Sequence, residues 1–194
     1  MSARIIAISG KSGCGNTTVC GLLAERLGVQ LINYTFRAMA VDMGIGFEEM
    51  LRIANEDPNY SYDRALDAKQ VELARAAAGK GDCVIGSRLA LWLLPEATLH
   101  VYLAGSLEVR AARIHSREGD DFDKKLAFTR ERDSSDHMRY LTIYGINTDD
   151  LASSDLVINT ELWMPDAIVD IILEALEKRN TQLGTKQKSY NTSK

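Results

Sequence analysis

Cysteine is scarce in this chain and unpatterned. Its three copies, Cys14, Cys20 and Cys83, show no CxxC spacing, which argues against a disulfide framework or a zinc site. A reducing, cytoplasmic setting is the expectation. No window of membrane-spanning length is free of charges, so no membrane association is expected. The N-terminus has no charged segment leading into a long apolar stretch and a cleavage signal, so no secretory leader is expected either. An excess of positive charge is also lacking. The formal net charge is -4, which gives the whole molecule no field to attract nucleic acid. His100 and His115 do not stand in a metal-binding spacing. What remains is ordinary: 194 residues, 45% hydrophobic and 26% charged, the profile of one globular domain with a substantial core.

The pattern along the chain alternates strand and helix. Arg4–Ser9 (RIIAIS) is apolar on both faces, as a central parallel strand requires. A glycine-rich stretch follows, then a helical pattern over Thr17–Leu27 with Val19, Leu22, Leu23 and Leu27 on one side. Val29–Ile32 reads as a second strand. Residues 36–78 read as a helical insert in two parts, broken at Asp57-Pro58. Strands are expected over Asp82–Ile85, Leu99–Leu103 and Leu156–Ile158. Ser106 reads as the N-cap of a helix reaching about Arg117. A charge-rich helix is expected over Phe122–Ile143, and a last helix from Pro165, where proline suits the first turn. This order specifies an α/β fold with helices on both faces of a parallel sheet. One domain over residues 1–178 is expected, with an insert at 34–78 and a lid at 118–148. Residues 179–194 read as a disordered polar tail.

The chemistry concentrates in Gly10-Lys11-Ser12-Gly13-Cys14-Gly15-Asn16-Thr17-Thr18. Glycines let the backbone wrap a phosphate group. Successive N–H groups then point inward, and the helix that follows adds its positive end. The Thr17 hydroxyl is placed to ligate magnesium. A standard loop of this kind has lysine immediately before the first threonine, and here that residue is Asn16. Lys11 either turns its ammonium toward the phosphates in compensation or faces solvent. Cys14, beside a helix N-terminus, is expected to have a lowered thiol pKa.

Phosphoryl transfer depends on positioning and charge neutralisation, and arginine forks grip phosphate oxygens in pairs. Arg37 opens the insert, Arg88 follows the third strand, and Arg130, Arg132 and Arg139 lie in the charged helix. At these residues the chain resembles the cytidylate kinases, especially their compact archaeal-type subgroup. The resemblance rests on the ISG-x4-G-x-TT loop at Ile8–Thr18, Phe36-Arg37 and Gly86-Ser87-Arg88-Leu89-Ala90. It extends through Leu107-Glu108-Val109-Arg110-Ala111, Thr129-Arg130-Glu131-Arg132, Tyr144-Gly145-Ile146 and Asp155-Leu156-Val157-Ile158-Asn159-Thr160. The family commonly has an acidic residue where this chain has Ser87.

The resemblance implies a five-stranded sheet in the order 2-3-1-4-5, and ATP with magnesium phosphorylating CMP or dCMP. It implies that Arg37 grips the acceptor phosphate, that Arg88 holds the nucleoside monophosphate, and that Asp63 and Asp67, with Gln70 nearby, contact its base and sugar. It places Arg130 and Arg132 at the transferring group, with Arg139 joining them on closure, and makes Arg110, Arg113 and Arg117 lead into the lid. A monomer or homodimer acting on a small nucleotide is expected. Two alternatives stay open. One is a small kinase with a different phosphate-bearing acceptor. The other is a catalytically weak nucleotide-binding regulatory protein, motivated by Asn16 and Ser87. Trp163 is either a donor-base platform or a packing residue.

Overall fold

The computed structural model describes residues 3–191, and of residue 180 and residues 182–191 the backbone alone. Five strands form one parallel sheet: β1 (Ile5–Gly10), β2 (Gln30–Ile32), β3 (Cys83–Gly86), β4 (Leu99–Ala104) and β5 (Leu156–Asn159). Their order is β2-β3-β1-β4-β5, as the family resemblance implies. Register runs Ile6 against Val84 on one side of β1 and Ile6 against Leu99 on the other.

Alternation along β1 divides the core. Ile6 and Ile8 point to one face and pack with Val19, Leu23, Val101, Ile168 and Ile172. Those partners come from α1 (Asn16–Leu27) and α8 (Pro165–Asn191) as well as β4. Ile5 and Ala7 point to the other face, against Ala74, Ala77, Ala90 and Leu94. There α4 (Ser61–Ala78) and the short α5 (Ala90–Leu93) cover the sheet. A strand buried on both faces has no polar side to show, which is why IIAI reads as a continuous apolar run. Each fully buried isoleucine of this kind contributes about 1.5–3 kcal/mol.

The insert departs from its expected two parts. It holds three helices, α2 (Phe36–Met43), α3 (Phe47–Glu56) and α4. The additional break is at Gly44, which adopts φ 67° and caps α2 by donating its N–H to main-chain carbonyls. Its small satellite core is Met39, Ala40, Met50 and Ala54, with Tyr34, Phe36 and Leu66 packed on it.

Beyond β4, α6 (Leu107–Glu118) is capped by Ser106, which accepts from the Val109 amide at 3.4 Å. The chain then turns into the long α7 (Phe122–Tyr144), packed along α6. Asp155 braces the entry to β5, accepting from the His100 amide at 2.8 Å and pairing with the His100 ring and Arg179. The last helix runs to Asn191, past the point at 179 where a polar tail is expected to begin. The last three residues of that tail, 192–194, lie outside the described residues. Among the described residues no helix is long and apolar enough to cross a membrane.

Candidate active site

One cleft of about 1130 Å³ opens at the carboxyl end of the sheet, where ligands of open α/β sheets bind. Its floor is the glycine loop between β1 and α1. Gly13 and Gly15 adopt φ 85° and 93°, a region that favours glycine. A Cβ on Gly13 would stand 2.7 Å from the Arg110 carbonyl oxygen, and one on Gly10 would stand 2.6 Å from that of Leu103. The loop is thus held against its neighbours with no room for side chains at those points. No side chain caps α1, so the amides of its first turn keep their positive end toward the cleft. Thr17 and Thr18 are exposed there, with Ser12, Cys14 and Asn16 also lining the cleft. The Asn16 Oδ1 atom is buried and has no hydrogen-bond partner.

Lys11 lines the same cleft, and its ammonium pairs with Asp149 at 2.8 Å. The expectation for Cys14 is overturned. Burial pushes its thiol pKa up, and the opposing charges of Arg110 and Arg113 do not reverse this. A thiol walled off from water stays protonated despite the helix end beside it.

Two arginines brace the loop from α6. Arg110 is 3% exposed, donates to the Ser12 carbonyl at 3.1 Å, and grips Asp133 of α7 through two bonds, at 3.1 and 2.6 Å. Arg113 bonds the Thr160 hydroxyl and carbonyl at 2.8 and 2.6 Å. Neither faces solvent as a free charge.

Three of the predicted phosphate grips converge on the opposite wall. Arg88, Arg132 and Arg139 all line the cleft. Arg88 pairs with Asp136, and Arg139 lies 3.1 Å from Asp63 and 3.9 Å from Asp136. Loss of surrounding water, reinforced by nearby Arg88, holds the Arg132 pKa below the usual arginine value. Arg37 lines the cleft with its guanidinium 4.0 Å from the centre of the Phe47 ring. Arg130 is not brought in: its side chain is exposed on α7, outside the cleft lining.

The third wall is α4. Asp63, Leu66, Asp67 and Gln70 line the cleft at the spacing that stacks residues on one helix face. Asp63 and Asp67 are 5% and 8% exposed. Burial raises both pKa values, that of Asp67 to about 6, with Arg139 opposing at Asp63 and the Tyr144 hydroxyl opposing at Asp67. Tyr144 donates to Asp67 at 2.9 Å, so α7 touches α4 at two points. Ser87 is buried, and its hydroxyl accepts from the Leu89 amide at 3.1 Å.

The sequence reading missed Asp133 and Asp136 as partners of these arginines, Tyr144 as the partner of Asp67, and Asp149 as the partner of Lys11. Arg132, Asp136 and Arg139 stand at i, i+4 and i+7, the signal that puts them on one face of α7. Beyond β5, Leu162, Trp163 and Met164 also line the cleft, with Trp163 49% exposed.

Residues 5–162 match the model of the cytidylate kinase-like family. Cytidylate kinase 2 of Borreliella burgdorferi is 42% identical over 179 residues, covering 90% of this chain and 96% of that protein. Cytidylate kinase of Pyrococcus horikoshii is 35% identical over 175 residues, covering 89% and 88%. Among solved structures, an uncharacterized protein from Eubacterium ventriosum superposes with a TM-score of 0.66 at 19% identity, covering 90% of this chain and 98% of that one, a likeness of fold.

Proposed function

The chain belongs to the cytidylate kinase-like family, and on that premise we propose that its cleft transfers the terminal phosphoryl group of ATP to CMP or dCMP. The observation that carries this reading is the meeting of three walls in one cleft: the glycine loop before an uncapped helix, the arginines that follow β3 and lie on α7, and the α4 face. Loop amides and the end of α1 suit a polyphosphate. Arg37, from the insert, grips the acceptor phosphate, and Arg88, from the segment after β3, helps hold the nucleoside monophosphate. Arg132 and Arg139 neutralise the oxygens of the transferring group, with Arg130 held outside until α7 moves. The acceptor phosphate is ionised at neutral pH, so its oxygen attacks without a strong general base.

The residues present fit magnesium carried on a nucleotide. Among the described residues no group of three or more acidic, histidine or cysteine side chains could hold an ion. Magnesium usually takes few protein ligands and several phosphate or water oxygens. Thr17 would hold it, and the bound ion would supply neutralisation of phosphate charge. Residues 118–148 act as a lid whose closure keeps water from the transferring group.

The test is ADP formation from ATP and magnesium with CMP, dCMP, UMP, AMP, GMP, shikimate or no acceptor, repeated with Arg37→Ala. Strong turnover with CMP or dCMP that is lost in the variant supports the reading. Folded protein that binds ATP but turns over no acceptor above background overturns it in favour of a nucleotide-binding regulatory role.

A further inference from the structure

The glycine loop has no lysine at Asn16, but it does carry one charge of that kind. Lys11 follows its first glycine, lines the cleft, and is the single lysine or arginine between Gly10 and Thr18. The neighbouring arginines of α6 are committed to the protein itself, Arg110 to Asp133 and the Ser12 carbonyl, Arg113 to Thr160. Any point charge that the loop brings to a polyphosphate therefore comes from Lys11.

The Lys11 ammonium donates to Asp149 Oδ1 at 2.8 Å, and the two sides of that pair are not held alike. Asp149 sits in a built turn. Its amide donates to the Asn147 side-chain oxygen at 3.0 Å, and the Asp150 amide donates to the Asn147 carbonyl at 3.1 Å. Thr148, 9% exposed, sets this turn beside the loop, where it lines a small second cavity together with Lys11. The other carboxylate oxygen faces His137 Nδ1 of α7 at 3.4 Å. Lys11 has no such fixing. Asp149 is its one ion-pair partner among the described residues, and its stem is a flexible four-carbon chain ending in three rotatable donors. The bond from Lys11 holds the Asp149 pKa below the usual carboxylate value, so the carboxylate is charged at neutral pH. An ion pair with one side chain 58% exposed contributes little and yields to a stronger anion. A polyphosphate brings several negative charges to the same rim.

We propose that Asp149 is a positioning residue that parks Lys11 at the rim of the cleft, and that Lys11 leaves it for the outer phosphates when the donor nucleotide binds. The inference rests on the reading of the glycine loop as the donor-phosphate site. The exchange gives the loop a mobile charge in place of the fixed lysine that position 16 lacks. It also unties the loop from the turn after α7, the helix that carries Arg132 and Arg139. Asp149 competes with the phosphates for one ammonium, so its effect on donor affinity is opposite in sign to that of Lys11.

The experiment is calorimetric binding in the presence of magnesium. The ligands are the β,γ-imido analogue of ATP, which is not turned over, and CMP. The proteins are the unaltered chain, Lys11→Ala, Asp149→Asn and Asp150→Asn, each with a thermal melt to report the fold. Asp150→Asn removes the same charge one residue further on, from a carboxylate that accepts from the Ala152 amide at 3.0 Å. Lys11→Ala should weaken the ATP analogue about 10- to 100-fold, the scale of a lost hydrogen bond to a charged group. Asp149→Asn should tighten it about three- to fivefold, the scale of an exposed ion pair released. Asp150→Asn should leave it unchanged, and CMP affinity should stay near its original value in all three variants. Unchanged analogue affinity in Lys11→Ala overturns the proposal, because the ammonium then meets no phosphate. Weaker analogue binding in Asp149→Asn overturns it too, because the carboxylate then supports Lys11 in the bound state and is not exchanged. Equal tightening by Asp150→Asn, or an equal shift in CMP affinity, overturns it in favour of a general charge effect. Affinities that shift as expected, in a protein that makes no ADP with CMP, uphold the exchange and overturn the kinase reading instead. Absence of analogue binding by the unaltered protein overturns both.

Discussion

The ammonium of Lys11 lies 2.8 Å from the carboxylate of Asp149, joining the glycine loop to the segment that follows α7. His137 Nδ1 stands 3.4 Å from the second oxygen of Asp149. Asp149 is 58% exposed, so the pair adds less than about 1 kcal/mol after solvent screening. Its importance is positional. Lys11 is the only lysine in a loop that has Asn16 where such loops place their lysine, and Asp149 holds it at the rim of the cleft.

If Lys11 supplies the missing charge, Lys11→Ala lowers kcat/KM for ATP about 100-fold. Its melting temperature should stay within roughly 2 °C of the original, because only a surface pair is lost. Adding Asn16→Lys to that variant should then recover about tenfold or more. Steady-state kinetics with saturating CMP read both effects. Unchanged activity in Lys11→Ala would show that the side chain serves solvent contact alone.

Asp67 makes stability depend on pH in the direction opposite to most carboxylates. Burial raises its pKa from 3.8 to about 6 in the folded protein. Between those values the native state binds more protons than the unfolded chain, so stability falls as pH rises from about 4 to about 6, by roughly 2–3 kcal/mol. Asp63, also raised by burial, works the same way. Asp82, Asp149 and Asp155 are lowered and work against them, so the difference between variants isolates Asp67. Asp67→Asn should be more stable than the original at pH 7.5 and show little gain at pH 4.5 in urea titrations. It should also lose activity toward the acceptor, the common cost of relieving a destabilised functional group.

The sheet was legible because β1 and β4 are buried on both faces and read as apolar runs, that of β4 interrupted by His100, and the glycine loop was legible because its spacing is itself the structure. The extra break in the insert was not, since Gly44 ends α2 through a left-handed backbone angle while the apolar period of Met39, Met43, Phe47 and Met50 continues across it. Type and position singled out Arg37, Arg88, Arg132 and Arg139, which line the cleft, together with Arg130, which does not. The partners of the arginines were missed because Arg110–Asp133 and Arg139–Asp63 join residues 23 and 76 positions apart, and local pattern carries no such pairing. Arg110, expected to lead into the lid, is buried and braces the glycine loop.

Arg132 and Arg130 sit two positions apart on α7 and cannot share a face. Arg132 lines the cleft and Arg130 is exposed outside it. Arg132→Ala should therefore lower kcat about 100-fold or more, the scale of removing one charged stabiliser of a transition state. Arg130→Ala should change kcat by less than about fivefold unless α7 rotates on closure. Single-turnover rates with ATP and CMP separate these outcomes, and equal losses would show that the helix turns about its axis when the substrates bind.

Arg110 and Asp133 hold the glycine loop at a fixed distance from α7. The guanidinium also reaches the carbonyls of Ser12 and Gly105, at 3.1 and 3.0 Å, and its side chain is 4% exposed. Removing one partner leaves a charge in a site with little water, which costs about 3–5 kcal/mol. Asp133→Ala should therefore lower urea-measured stability by that amount and raise the KM for ATP, because the Ser12 end of the loop loses its support. Replacing both partners with apolar groups, Arg110→Met with Asp133→Leu, should cost less than the sum of the single changes, since no unpaired charge remains. The KM for ATP should nevertheless stay raised in the double variant, because methionine donates nothing to the Ser12 carbonyl. Recovery of both stability and KM in the double variant would mean that packing alone positions the loop and that the ion pair is replaceable.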